Sequence, residues 1–178
     1  ANARFGCAAQ RTLAAAQQLY GRHKALTYPR TDSRYLPTDL VPELIPTAAQ
    51  LAGQPPYAEA SAYVTGLDEV PLLRVINDDG VTDHHAIIPT NSSHQLEKMS
   101  ADQLKIYDLV ARRFLACFYP DARYQQTKVK TTVADKHEFR SSGKVMLEAG
   151  WRAVYGAELE RADEGDGGPE HDLPALEE

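Results

Sequence analysis

Tyr28 and Arg30 have the residue types and the spacing that phosphoryl chemistry requires. Both lie in ALTYPRTDSRYLP, residues 25–37, where Pro29 excludes Tyr28 from the helical region and holds it extended. Residues two apart on an extended chain point the same way, so the Arg30 guanidinium can stabilise a Tyr28 phenolate and bind a phosphate. A phenol is a weak nucleophile without such help. The spacing alone also allows a plainer interpretation, in which Tyr28 packs and Arg30 is solvated.

The histidine pair of VTDHHAIIPT, residues 81–90, is a second candidate cluster. Together with Asp78 and Asp79, the side chains of His84 and His85 could ligate a metal in a hydrolytic site. Adjacent histidines seldom point at one ion, however, and no Cys/His set at zinc spacing accompanies them. Donation to a phosphate, or proton transfer, suits His84 or His85 better. A histidine that only anchors the loop is the third possibility.

Basic residues surround the tyrosine segment, and they are equally compatible with phosphate contact and with ordinary solvation. They are Arg4, Arg22, Lys24 and Arg34, with Tyr35 among them. The net charge of −6 is unevenly distributed, because residues 158–178 hold nine acidic side chains and one basic one. Residues 1–157 carry 18 basic and 16 acidic side chains. The pattern predicts a near-neutral folded body followed by a disordered acidic linker over 158–178.

Helical spacing predicts two helices in the first third of the chain. The first covers residues 8–23 and presents Leu13, Ala16 and Tyr20 on one face. The second starts at an N-cap on Thr38 or Asp39 and reaches about Leu51. The Gly- and Pro-containing stretch 53–82 predicts a loop with little regular structure.

In the rest of the chain, a capping box marks the start of a helix, and the hydrophobic pattern then changes from helical spacing to the alternation of a strand. Ser100 and Gln103 begin an amphipathic helix that Pro120 stops. Three short strands are then predicted, over 127–133, 137–141 and 144–148, with Lys128 and Lys130 on the water side of the first. Helices first and strands second indicate an α+β chain, with a helical domain over 1–120 and a β-rich one over 121–157.

Compartment signals favour the cytoplasm. Cys7 and Cys117 are far apart, and we expect free thiols rather than a disulfide. No apolar run has the length of a membrane span, and the first residues lack a signal-peptide core. We therefore expect a cytoplasmic protein without membrane partners.

Two motifs in order resemble type IA DNA topoisomerases, and specifically the topoisomerase III branch. LTYPRTDSRYLP is followed at the family's distance by DHHAIIPT. The stretch ANARFGCAAQRTLAAAQQLYGRHKA resembles the helix ahead of the active tyrosine, and IYDLVARRFLACFYPDA matches what the family has near 106–122. SSGKVMLEAGWRAVYG resembles the strands that follow. The resemblance covers nearly the whole chain, and two long motifs make it specific.

The resemblance implies a role for each residue that matches a family motif. Tyr28 matches the nucleophile that attacks a DNA phosphodiester and retains the 5′ phosphate. Arg30 matches the arginine that positions the tyrosine and the scissile phosphate. His84 matches a histidine that contacts a neighbouring DNA phosphate, and Asp32 an aspartate that orients it. Arg34, close by, is a further candidate for contact with DNA.

The resemblance also implies a domain organisation. Residues 1–120 would form a mostly helical, tyrosine-bearing strand-cleavage domain with a winged-helix-like core. Residues 121–157 would be part of a β-rich arch or hinge. The family's Toprim domain, with its acidic metal cluster, should precede this chain. We therefore expect Mg²⁺ in the intact enzyme, with all its ligands outside this chain, no cofactor within it, and little or no activity of the chain alone.

The implied partners are single-stranded DNA and the remaining domains of the parent enzyme, in the cytoplasm at the bacterial nucleoid. Bond energy stored in a covalent intermediate removes any need for ATP. Two alternatives stay open. One is a non-catalytic module for single-stranded DNA whose tyrosine stacks on a base, and the other is a metal-dependent phosphoesterase built on the histidine pair.

Overall fold

The computed structural model describes residues 1–71, 74–134 and 136–156, and it has the predicted α+β architecture. The helices are α1 (Asn2–Phe5), α2 (Ala9–Gly21), α3 (Val41–Leu51), α4 (Ala58–Thr65) and α5 (Ala101–Ala116), followed by strands β1 (Arg123–Val133) and β2 (His137–Glu148). The chain divides into two compact units, residues 1–119 and a second that begins at Pro120. The expected acidic linker over 158–178 lies outside the described residues.

Helix α2 occupies the predicted stretch, but it buries a different face. Ala15, Ala16 and Leu19 point into the core, whereas Leu13 is 37% exposed and Tyr20 is 41% exposed. Of the three residues that helical spacing places on one face, only Ala16 is therefore buried, while Leu13 and Tyr20 lie at its exposed edge. Small alanine side chains let α2 lie close against α5, and Tyr20 is left at the surface.

Helix α5 begins with the predicted capping box. The Ser100 hydroxyl accepts from the Gln103 amide at 3.4 Å, and the Gln103 side chain accepts from the Ser100 amide at 2.8 Å. The helix ends at Ala116, ahead of Pro120, and its buried side chains form much of the core of the first unit. They are Ile106, Tyr107, Ala111, Phe114, Leu115 and Ala116. An ion pair from Arg11 to Asp102 joins the start of α5 to α2.

The stretch 53–82 contains a helix that was predicted as loop. Pro55 starts a 3-10 turn, and α4 follows directly. Proline is tolerated at the first turn of a helix, so the residue interpreted as a breaker acts as a starter. Ser61 and Val64 on α4 are fully buried, and the Ser61 hydroxyl donates to the Ala48 carbonyl of α3. Packing against α3 therefore overrides the local turn signals.

Thr38 and Asp39 do not act as the predicted N-caps of α3. They form a 3-10 turn, Thr38–Leu40, that leads into the helix without a side-chain cap. The Thr38 amide and hydroxyl both donate to the Asp78 carboxylate at 2.7 Å. These two bonds lower the pKa of Asp78 and anchor its turn to the start of α3.

The second unit contains a long β-hairpin. Strands β1 and β2 pair antiparallel from Val133 opposite His137 to Arg123 opposite Glu148. The two short strands predicted at 137–141 and 144–148 are one continuous strand, because Gly143 keeps its place in the ladder opposite Thr127. Lys128 and Lys130 are exposed, as predicted.

Two further predictions concern the cysteine thiols and membrane-spanning segments. Cys7 and Cys117 are both free, and burial raises the pKa of the Cys117 thiol. Within the described ranges, no helix is both long enough and apolar enough to cross a bilayer.

We expect amide hydrogen exchange to be slow in α5 and fast in the hairpin. Side chains of α5 are buried throughout the helix, whereas a two-stranded sheet is marginally stable in water. Phe139 is 59% exposed on β2, so the hairpin buries little apolar surface. Exchange followed by mass spectrometry on peptides from 101–116 and 124–148 measures the ranking. Slower exchange in the hairpin would contradict this account of where stability lies.

Candidate functional site

Tyr28 lies on an extended segment that pairs with the segment following the histidines. The Thr27 amide donates to the Ile88 carbonyl at 2.9 Å, and the Ile88 amide donates to the Thr27 hydroxyl at 3.0 Å. An isolated bridge between Leu26 and Pro89 lies beside these bonds. This pairing brings together two motifs that are more than fifty residues apart in sequence.

A buried polar chain fixes the histidine segment to the core. The Thr90 amide donates to the Ala25 carbonyl at 3.1 Å, and the Thr90 hydroxyl lies 3.0 Å from Nε2 of His94. The other ring nitrogen of His94, Nδ1, lies 2.6 Å from the hydroxyl of Tyr107 on α5. Burial lowers the pKa of His94, which favours the neutral ring. The loops around Tyr28 are thus held by the same helix that carries the core.

The Tyr28 ring packs between two other rings at the surface. Its centroid lies 4.2 Å from that of His84, with a tilt of 42°, and 5.4 Å from that of Tyr20, edge to face. The residue is partly exposed. Among the described residues, no group forms a hydrogen bond with the Tyr28 hydroxyl. The rings therefore orient the phenol while its oxygen stays open to a ligand.

Arg30 is held in place by the helix that precedes it. With its amide oxygen turned to the guanidinium, Gln17 accepts from Nη2 at 2.7 Å and from Nε at 3.1 Å. Gln17 and Tyr20 are three residues apart and share one face of α2. Analysis of the sequence missed this pair as part of the site. Their spacing on a helix that runs straight into the tyrosine motif was the signal that could have identified them.

His84 and His85 have different surroundings. His84 is exposed, its ring contacts Tyr28, and its carbonyl accepts from the Thr31 hydroxyl at 2.9 Å. The Nδ1 atom of His85 lies 2.7 Å from the Ala86 carbonyl. His84 therefore faces the tyrosine, while His85 is engaged with its own loop.

Asp32 shares a cleft with Arg30 and His84. The lining residues are Arg30, Thr31, Asp32, Thr82, Asp83 and His84. In the part of the chain that the structure describes, Asp32 forms neither a hydrogen bond nor an ion pair with His84. The cleft has a mixed charge, since two carboxylates line it beside one guanidinium. A phosphate would bind at the Arg30 end, away from the carboxylates.

Arg34 lies away from this cleft. Its guanidinium donates to the Tyr35 hydroxyl at 3.1 Å and lies 5.2 Å from the centroid of that ring. Both residues line a different, largely apolar pocket that includes Phe114 and Phe118. The Tyr35 ring also covers Gly80, where an added Cβ would lie 2.4 Å from a ring carbon. The geometry thus groups Arg34 with Tyr35 and not with Tyr28.

The metal-site alternative finds no support in the arrangement of the histidines. Within residues 1–71, 74–134 and 136–156, no three His, Cys, Asp or Glu side chains form a group that could hold a metal ion. Both carboxylate oxygens of Asp78 accept from Thr38. The family resemblance places the Mg²⁺ ligands outside this chain, and the described residues form no group that could hold the metal.

The other basic residues have separate surroundings. Arg4 lies 3.7 Å from Asp108, and the ammonium of Lys24 lies 5.6 Å from the centroid of the Tyr20 ring. Arg22 lines a small cleft beyond the end of α2. Of these residues, Lys24 comes nearest to the tyrosine site, through its contact with Tyr20.

The Tyr28 ring thus contacts His84, which shares a cleft with Arg30, on loops held by a helical core. A family model described as DNA topoisomerase matches residues 1–178. The chain belongs to this family, the type IA DNA topoisomerases.

Relatives with high similarity are bacterial. The chain is 40% identical to DNA topoisomerase 3 of Bacillus subtilis over 179 aligned positions, and 42% identical to that of Bacillus licheniformis over 180. In both cases the match covers 99% of this chain and 24% of the relative. DNA topoisomerase 3 of Shouchella clausii is 43% identical over 164 positions, or 91% of this chain and 22% of the relative. The chain thus spans about a quarter of the length of these relatives.

A solved structure supports the fold. Full-length topoisomerase I from Thermotoga maritima aligns with a TM-score of 0.61 over 99% of this chain and 27% of the other. The sequence identity of 23% is low, so the similarity shows the fold alone.

Proposed function

We propose that this chain is the strand-cleaving part of a type IA topoisomerase and that Tyr28 is its nucleophile. The observation that carries the proposal is the partly exposed Tyr28 phenol, oriented by the His84 and Tyr20 rings, with an oxygen that no described group engages. Residues 1–119 form the cleavage domain in this proposal, and the hairpin unit is part of the arch that carries it.

The proposed reaction exchanges one phosphodiester for another. The Tyr28 oxygen attacks phosphorus, the O–P bond to tyrosine forms, and the bond from phosphorus to the 3′ oxygen breaks. The phenolic proton is lost, and the leaving 3′ oxygen gains one. The DNA 5′ phosphate stays on Tyr28 until the 3′ hydroxyl attacks in turn and reseals the strand. No bond energy is lost, so no nucleotide cofactor is required.

Each neighbour of Tyr28 has a role in this proposal. Arg30, held by Gln17, binds the non-bridging oxygens of the scissile phosphate through its fork of donors. His84, whose ring contacts that of Tyr28, binds the adjacent phosphate. Asp32, in the same cleft, orients His84 once DNA is bound. Arg34 would contact DNA from the neighbouring pocket.

The substrate is single-stranded DNA, because the tyrosine has to reach one backbone phosphate without a paired strand in the way. The intact enzyme acts in the cytoplasm with Mg²⁺, whose ligands come from parts of the protein outside this chain. The metal would offset charge on the reacting phosphate and the leaving oxygen. The described residues contribute the nucleophile and the phosphate contacts only.

The experiment that tests this function follows the label on an oligonucleotide. A full-length topoisomerase that carries this chain is incubated with single-stranded DNA and then denatured. A label at the 3′ end should remain with the protein, because that fragment retains the 5′ phosphate on tyrosine, and a label at the 5′ end should be released. Retention of the 5′-end label instead would contradict the proposed polarity.

We expect His84→Ala to weaken binding of single-stranded DNA and His85→Ala to have a smaller effect. His84 faces the Tyr28 cleft, whereas His85 is engaged with the Ala86 carbonyl. Loss of one charge-assisted hydrogen bond costs about 1–3 kcal/mol. Fluorescence anisotropy on both variants of the full-length enzyme measures the difference. Equal losses, or a larger loss for His85→Ala, would show that the wrong histidine has been assigned.

A further inference from the structure

We propose that a second phosphate of the bound DNA strand occupies a small basic cleft just beyond the end of α2. The cleft is lined by Arg22, His23, Ser93, Gln95 and Lys98. Three of these side chains can carry positive charge, and the lining contains no acidic residue. The Ser93 hydroxyl and the Gln95 side-chain amide add neutral donors. Phosphate oxygens can accept hydrogen bonds from all of these groups. The inference rests on the proposed function, since it extends the same strand beyond Tyr28.

His23 gives this cleft an independent sign of a missing ligand. Its Nε2 atom is enclosed and has no hydrogen-bond partner among the described residues. Enclosed polar atoms in folded proteins nearly always have a partner, so an unpaired ring nitrogen calls for one. A proton on Nε2 makes it a donor, and an oxyanion would accept from it once the His23 ring turns its enclosed Nε2 toward the cleft that the residue lines. Arg22 and Lys98 line the same space and would offset the anion's charge.

A series of contacts links the cleft to Tyr28. The Tyr28 ring contacts the exposed Tyr20 ring, and the Lys24 ammonium lies over the Tyr20 ring, 5.6 Å from its centroid. Lys24 has a left-handed φ of 54°, and its carbonyl accepts from the Thr90 hydroxyl at 2.6 Å. The chain therefore turns sharply between the cleft and the tyrosine segment and is fixed there. A strand leaving Tyr28 would pass an aromatic ring and an ammonium before it reaches the cleft.

The carboxyl end of α2 lies beside the cleft, and such an end ordinarily disfavours anions. Here the Gln18 carbonyl already accepts hydrogen bonds from the amides of Arg22 and His23, at 2.9 and 3.1 Å.

The basic residues of the hairpin are a weaker candidate for a phosphate site, because Lys130 is paired with Glu138. The α2 cleft combines basic side chains with an unpaired ring nitrogen, and it follows the helix whose Tyr20 contacts Tyr28.

Charge removal in the cleft tests the proposal. The 178-residue chain, its Arg22→Gln/Lys98→Gln variant and a Lys105→Gln control are titrated with labelled oligothymidylate over a range of salt concentrations. Lys105 is an exposed lysine on α5, outside the cleft. We expect the double variant to bind roughly tenfold more weakly, and the slope of log K against log salt to fall by about 0.7 for each phosphate that is no longer neutralised. The control should stay within about twofold. Equal affinities and equal slopes for the double variant and the control, or no binding by the chain at all, would overturn the proposal.

Nuclear magnetic resonance of the His23 ring separates DNA from free phosphate. Oligothymidylate should shift the Nε2 resonance, and inorganic phosphate should shift it less at the same ionic strength, while chloride should not. A shift with inorganic phosphate alone would assign the cleft to a free anion and overturn its assignment to the DNA strand. Retention of the 3′-end label by the full-length enzyme reports on strand cleavage and does not involve this cleft, so failure of this proposal is distinct from failure of the proposed strand cleavage.

Discussion

Tyr28→Phe in a full-length topoisomerase that carries this chain should abolish DNA cleavage and leave DNA binding intact. The substitution removes only the hydroxyl, and no described group bonds to that hydroxyl. The ring contacts with His84 and Tyr20 should persist, so the fold loses nothing. Affinity for single-stranded DNA should stay within about twofold, which corresponds to the ±0.5 kcal/mol typical of surface changes. Denaturing gels measure the covalent complex, and anisotropy measures binding.

Tyr35→Phe is the matched control for this variant. Tyr35 lies in the same motif, but it pairs with Arg34 and covers Gly80, away from the cleft. It should retain cleavage, with at most a small decrease in stability because the hydrogen bond from Arg34 is removed. Cleavage that survives in the Tyr28 variant and disappears in the Tyr35 variant would place the nucleophile at Tyr35.

The 178-residue chain alone should not relax supercoiled plasmid, with or without magnesium. The proposed nucleophile lies in this chain, but the described residues offer no group that could hold a metal beside the reacting phosphate. Positioning and electrostatic stabilisation supply most of the rate of phosphoryl transfer. Loss of a single stabilising donor costs on the order of a hundredfold or more, so the loss of several should leave no measurable turnover.

Gel electrophoresis of plasmid topoisomers measures this prediction, and the Tyr28→Phe chain is the control for contamination. If the unmodified chain relaxes plasmid and the Tyr28→Phe chain does not, the prediction is contradicted, because these residues would then suffice for catalysis. Equal relaxation by both preparations would identify a contaminating enzyme.

Elements with strong local signals could be predicted from the sequence. The capping box at Ser100 and the alanine-rich α2 form where the pattern places them. Helix α4 was missed because its stability comes from burial of Ser61 and Val64 against α3, which a local window does not contain. Strand β2 was predicted as two short strands for the same reason, since the place of Gly143 in the ladder depends on the partner strand.

The site residues also fall into two groups, those that the sequence predicted and those that only the packing reveals. The family resemblance predicted Tyr28, Arg30 and His84 as site residues, and the structure brings these three residues to one surface. It could not identify Gln17 or Tyr20, because their contacts with Arg30 and Tyr28 depend on how α2 packs against the tyrosine segment.

The most direct test of the central claim is the identification of the residue that carries the DNA phosphate. The covalent complex of the full-length enzyme is digested with nuclease and then with trypsin, and the peptides are analysed by mass spectrometry. Tyr20, Tyr28 and Tyr35 fall in three different tryptic peptides, because Arg22, Lys24, Arg30 and Arg34 separate them. The account predicts a 5′-nucleotide adduct on the peptide ALTYPR, residues 25–30. An adduct on any other peptide, with ALTYPR unmodified, would contradict it.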